Sequence, residues 1–150
     1  ALAVSGTNIF AAVYTGVAKW DGGTNWSPLG PGFNSWVSVL AVSGTNLYAG
    51  GNFTIATNSG GAPVTVNRIA RWDGNNWSAF GGGLNDDVNA LAVSGTNVYA
   101  GGGFTRATNS GGASVTVNRI ARWDGDTWSP VGSGMNNSVG SLAVLGTDLS

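Results

Sequence analysis

The chain repeats itself with a fixed period. Leu-Ala-Val-Ser-Gly-Thr-Asn begins at Leu2, Leu40 and Leu91 and returns as Leu-Ala-Val-Leu-Gly-Thr-Asp at Leu142. From Leu40 to Leu91, and from Leu91 to Leu142, is 51 residues. Trp72-Asp73-Gly74 and Trp77 recur at the same interval as Trp123-Asp124-Gly125 and Trp128. The first step is shorter, 38 residues, because the first unit lacks most of the counterpart of 51–67. Such self-similarity restricts the chain to a repeat architecture, in which a unit buries its apolar face only against its neighbours.

Within one unit, four strands are read. The first, 88–94, sets Leu91 and Val93 on one face and Ala90 and Ala92 on the other. The second, 98–101, carries Tyr99 and closes on glycine, the third is 118–123, and the fourth, 127–131, carries Trp128. Ser94-Gly95-Thr96-Asn97 and Asp124-Gly125-Asp126 supply hairpin turns, since Gly, Asn and Asp tolerate the positive φ such turns require. Four short antiparallel strands in about 50 residues describe a propeller blade rather than a solenoid coil. The fold class is therefore all-β: a β-propeller of four-stranded antiparallel blades, with three blades at about 1–31, 32–82 and 83–133. One extra inner strand, 139–144, opens a further blade within 134–150. The Leu face of each inner strand is expected to pack on the Ala face of the next blade.

These elements resemble the Kelch repeat: Gly50-Gly51, Trp72 and Trp77 in one blade, Gly101-Gly102, Trp123 and Trp128 in the next. The first blade departs from the pattern, with Ala11-Ala12-Val13 where the glycine pair belongs. The Trp-Asp-Gly form is similar to repeats of bacterial secreted proteins and of fungal cell-surface polarity markers. That resemblance implies a propeller in an extracellular or surface setting. Asp21-Gly22-Gly23-Thr24-Asn25-Trp26 also resembles the Asp-box of sialidase-type propellers, although Lys19 replaces the usual Ser or Thr. In that family the box is structural and implies no glycosidase chemistry.

Three blades leave sheet edges and faces open, whereas propellers close with four to eight. The chain is thus expected to be a segment of a larger propeller, or to self-associate, two copies supplying six blades. A signal peptide, if one precedes Ala1, is absent from the sequence.

Composition narrows function. Charged residues make up 9% and glycine is abundant at 26, which alone would suggest disorder; seven Trp, five Phe and three Tyr argue for a folded core instead. The net charge is −1 and the six basic residues are dispersed, so no positive face exists for nucleic acid. No apolar run is long enough to span a bilayer. With no His and no Cys, the usual zinc and copper sites, cysteine nucleophiles and His-based triads are excluded. Every acidic residue is Asp, and no pair stands out for glycoside hydrolysis. No cofactor and no metal site are expected, and the chain is not read as an enzyme.

Binding residues favour loops on a rigid scaffold, which points to the rim carrying the long connections: 53–67 and 104–118 within blades, 30–37, 81–88 and 132–139 between them. Asn58, Ser59, Asn109 and Ser110 lie in the repeated Ala-Thr-Asn-Ser-Gly-Gly-Ala of the within-blade connections. They either hydrogen-bond sugar hydroxyls, with Trp36 as a stacking platform, or merely build turns. Asn34, Asn85 and Asn136 occupy equivalent places between blades, as an amide ring for a cation or polar ligand or as turn caps. Arg106 stands where the preceding blade has Ile55, facing a ligand or drifting on the surface. Asp86-Asp87 lacks the spaced oxygens of a calcium loop and reads as a solvated turn. Lys19, Arg71 and Arg122, each preceding Trp-Asp-Gly or its equivalent, are expected to pair with Asp or lie across a Trp face.

The expected function is a non-catalytic extracellular module, a scaffold or adhesion surface for protein or glycan partners. One alternative is a lectin with repeated sites on the long-connection rim; another is part of a propeller enzyme whose active site lies outside this segment.

Overall fold

A computed structural model describes residues 1–145. Among these the chain is all-β and forms eighteen strands without a helix. The first four-stranded sheet is a simple meander of β1 (Leu2–Ser5), β2 (Asn8–Val13), β3 (Gly16–Trp20) and β4 (Trp26–Pro28). After β5 (Gly32–Phe33), the second sheet contains β6 (Val37–Ser43), β7 (Asn46–Gly51), β10 (Ile69–Trp72) and β11 (Trp77–Ala79). Between β7 and β10 the chain makes a hairpin of β8 (Ile55–Thr57) and β9 (Pro63–Thr65). The third unit repeats the second: β12 (Gly83–Leu84), β13 (Val88–Ser94), β14 (Asn97–Gly102), β15 (Arg106–Thr108), β16 (Ser114–Thr116), β17 (Ile120–Trp123) and β18 (Trp128–Pro130).

Four of the five connections expected to be long loops contain short strands; 132–139 does not. β5 pairs with β8, and β8 with β9, giving a three-stranded sheet; β12, β15 and β16 give its equivalent. Each small sheet joins a connection between units to a hairpin within the following unit. This pairing satisfies the backbone N–H and C=O groups that a long loop against the core would leave open. Alternating Val64 and Val66, or Val115 and Val117, supplies its apolar side.

Successive sheets pack through their leading strands, with β6 lying between β1 and β13. Leu40 and Val42 face the core shared with the first sheet, while Val39 and Ala41 pack on the core shared with the third, where Leu91 and Val93 meet them. Ala41 gives the large-on-small contact read from the alternation, whereas Val39 stands where the third unit has Ala90. Each buried Leu or Val contributes about 1.5–3 kcal/mol.

The glycine pairs have a steric cause. At Gly51 a Cβ would stand 2.1 Å from the Trp36 carbonyl oxygen, and at Gly102 1.9 Å from that of Asp87. At Gly50 it would meet Val88 Cγ1 at 2.5 Å, across the gap between sheets. The opposing strands carry bulges there, at Val37/Val39 and Val88/Ala90. Trp residues of the fourth strands staple consecutive sheets: Trp77 Nε1 donates to the Leu29 carbonyl at 2.9 Å, and Trp128 Nε1 to that of Phe80 at 2.9 Å.

The expected extra inner strand is not formed. Residues 139–144 do not form a strand. Val139 donates its N–H to the Gly102 carbonyl and its side chain covers Gly101, but the segment has no ladder. β6 and β13 exist as strands because each pairs with the strand that follows it, and by the period that partner would begin at Asp148, outside the described residues.

Candidate functional site

On the long-connection rim most of the expected ligand groups are engaged by the protein itself. Asn58 is 8% exposed; its Oδ1 accepts the Trp77 N–H at 2.7 Å and its Nδ2 donates to the Trp77 carbonyl at 3.2 Å. The amide thereby acts as one residue of an additional strand along the edge of β11. Asn109 Oδ1 accepts the Trp128 N–H at 2.6 Å in the same way. Asn34 Oδ1 accepts two backbone N–H groups, those of Thr54 and Ile55, each at 2.9 Å, and its Nδ2 donates to Thr54 Oγ1 at 2.8 Å. Asn85 repeats this with Thr105 and Arg106. These four amides tie the small sheets to their surroundings and do not form a ring around a ligand.

The remaining candidates are open. Ser59, Ser110, Arg106 and Asn136 are exposed. They are not brought together: the serines lie at hairpin tips, Arg106 on β15 and Asn136 beyond β18. Trp36 is 62% exposed and stands edge-on to Tyr14, ring centroids 6.0 Å apart. Its counterpart in the next unit is Asp87, so this platform occurs once. Asp87 lies 3.6 Å from Arg68 Nη1, which also donates to the Asn52 carbonyl at 2.7 Å. The turn at Asp86-Asp87 is therefore tied to β7 and the β9–β10 connection rather than merely solvated.

The opposite rim, made of short turns, holds two clefts that the sequence reading passed over. One, of about 340 Å³, lies between the second and third sheets and is bordered by Ser43, Asn46, Tyr48 and Arg71 on one side and Thr96 and Trp123 on the other. A second, of about 260 Å³, lies between the first and second sheets, with Ser5, Asn8, Phe10 and Lys19 facing Thr45 and Trp72. These are the same places in successive units. Arg71 and Lys19 do not form the expected ion pairs with Asp: the one salt bridge among the described residues joins Arg68 and Asp87. Arg122 differs, its Nε donating to Ser129 Oγ at 3.3 Å. The clue available in the sequence was the repetition of Ser, Asn and an aromatic at fixed offsets, followed by a cation just before Trp-Asp-Gly.

Asp21, Asp73 and Asp124 lie elsewhere, in the hairpins between third and fourth strands. Hydrogen bonds from the backbone N–H groups of Gly23 and Asn25 hold Asp21 below the usual carboxylate range; Asn76 and Asn75 do so for Asp73, and Thr127 and Asp126 for Asp124. They stabilise turns and form no acid–base pair. Among the described residues no three His, Cys, Asp or Glu side chains cluster as metal ligands would.

No protein-family model matches the chain. It is 31% identical over 103 residues, 62% of its length, to the polarized growth protein rax2 of Schizosaccharomyces pombe, and spans only 9% of that protein. Among solved structures it is similar to the crystal structure of the computationally designed Ika4 protein. That match has a TM-score of 0.62 at 16% identity and covers 97% of this chain and 78% of the other.

Proposed function

We propose that the chain is a segment of a Kelch-type β-propeller, extracellular or at the cell surface, that serves as a non-catalytic scaffold for protein or glycan partners. The observation that carries this reading is the stacking of successive four-stranded sheets along their leading strands, which presents equivalent clefts at each junction. The absence of His, Cys and Glu from the sequence supports the non-catalytic part. The partial likeness to a polarized growth protein supports the surface setting. Closure of the ring falls to further blades, from a longer chain or from a second copy.

The test is binding to arrayed glycans and proteins, followed by chemical analysis of the bound partner. Saturable retention with the partner unchanged is expected. Release of a cleaved or otherwise modified product overturns the reading. A lectin site on the long-connection rim is favoured by one observation, the exposed Trp36–Tyr14 pair; loss of glycan binding on Trp36→Ala would place the site there.

A further inference from the structure

We propose that the clefts between successive sheets on the short-turn rim bind the carboxylate-bearing ring of an acidic sugar, a hexuronate or its like. The inference deepens the scaffold reading and rests on it. Its basis is a contrast between the two rims. On the long-connection rim the amides of Asn34, Asn58, Asn85 and Asn109 are bonded within the fold. In the larger cleft the side chains of Ser43, Asn46, Tyr48 and Arg71 make no hydrogen bond among the described residues. No buried side-chain N or O lacks a partner, so the Tyr48 hydroxyl, on an otherwise buried ring, opens to water. Four groups capable of donating thus line one cleft that has no carboxylate of its own.

The chemistry of the lining selects the ligand. Neither cleft is lined by an acidic side chain, and each has one cation, Arg71 or Lys19. Asp73 lies near enough to Arg71 to be stabilised by it, yet Asp73 Oδ1 accepts from the backbone of Asn75 and Asn76 and makes no ion pair with the guanidinium. A donor-rich, acid-free site with a cation calls for an anion rich in acceptors. Tyr48, Phe80 and Trp123 add an apolar wall suited to the face of a sugar ring, and a volume of about 340 Å³ is at the small end of ligand pockets. The first unit has diverged from the others and lacks the small-sheet hairpin altogether, yet its cleft keeps Ser5, Asn8, an aromatic at Phe10 and a cation at Lys19. Arg71 offers a fork that matches a carboxylate with two hydrogen bonds, whereas Lys19 offers a point charge, so the larger cleft is the tighter site.

The experiment titrates the 150-residue chain with glucuronate, glucose and acetate, following the tryptophan indole signals by NMR. Trp123 reports the Arg71 cleft and Trp72 the Lys19 cleft. Glucuronate is expected to shift both signals saturably, with glucose and acetate each binding at least about tenfold more weakly. Arg71→Gln is expected to weaken the Trp123-reported site about tenfold and leave the Trp72 site unchanged, with Lys19→Gln doing the converse. Arg122→Gln, at the same motif position but lining neither cleft, should change nothing. Asn46→Ala provides a second, charge-neutral loss at the Trp123 site. Equal binding of glucose, equal binding of acetate, or indifference to Arg71→Gln and Asn46→Ala each overturns the inference. If glucuronate binds as stated but is converted to a new species, the cleft assignment stands and the non-catalytic reading falls. If glycans bind only through Trp36, the scaffold reading stands and the cleft assignment falls.

Discussion

Asn58 and Asn109 work as pieces of backbone. Each presents an amide to the exposed edge of a fourth strand, where Trp77 or Trp128 would otherwise leave an unpaired N–H. Removing the amide orphans a donor in a buried setting, which costs about 1–3 kcal/mol. Asn58→Ala is therefore expected to lower the denaturation midpoint by that amount, while Ser59→Ala, one residue along and exposed, shifts it by no more than about 0.5 kcal/mol. A stable Asn58→Ala variant would return that residue to the pool of ligand groups. Gly102 tests the steric argument in the same way. Its missing Cβ would lie 1.9 Å from the Asp87 carbonyl oxygen, so Gly102→Ala must displace the β12–β13 connection, at a cost of about 2–3 kcal/mol. Gly95, with nothing within 4 Å and φ of +59°, separates conformation from crowding: its alanine variant should lose about 1 kcal/mol.

At the scale of elements, the hairpins between third and fourth strands carry the pH dependence. Asp21, Asp73 and Asp124 have folded-state values below their ordinary 3.8, because the turn N–H groups favour the carboxylate. A depressed value means stability that is present above about pH 4 and is lost as the pH falls through the folded-state value. With no His in the chain, stability should be flat between about pH 5 and 7 and fall only below about pH 4. Urea melts at stepped pH would show this, and the double variant Asp73→Asn, Asp124→Asn should flatten the acid limb. The fourth strands themselves are held by their tryptophans. Trp77→Phe keeps the aromatic packing on Phe33, at 4.7 Å between centroids, but removes the donor to Leu29. A loss of about 1–2 kcal/mol is expected, against almost none for Trp26→Phe, whose ring is half exposed.

For the whole molecule, the leading strand of the first sheet is the place where stacking is unfinished. Leu2 and Val4 are 70% and 61% exposed, although Leu40 and Leu91, the counterparts of Leu2, are buried against a preceding sheet and Val42 and Val93, those of Val4, are partly buried. An apolar sheet face of this kind favours association with another such face. Light scattering of the 150-residue chain is expected to show association that weakens when Leu2 and Val4 are both changed to Lys. A dimer of sharp melting would support the proposed closure by a second copy, and a monomer unaffected by the two lysines would show that the face needs no cover.

Much of this was legible from residue order alone. The period, the four strands per unit, the hairpin turns and the large-on-small faces follow from local rules: alternation decides which side chains share a face, and Gly, Asn and Asp decide where the chain can reverse. The small sheets were not legible, because β5 and β12 are two residues long and become strands only when a hairpin from further along the chain lies beside them. Residues 139–144 show the converse, a strand-like pattern without a ladder among the described residues. The same limit applied to the sites. Asn58 reads identically as a ligand group or a structural tie until Trp77, 19 residues away, is seen to take both of its amide atoms. Arg71 reads as a partner for Asp73 until the hairpin's own N–H groups are seen to claim that carboxylate. Sequence by itself determined the repeating unit and the four strands of its larger sheet, since those depend on neighbours in the chain. Tertiary structure alone decided which polar groups remain free, because that depends on neighbours in space.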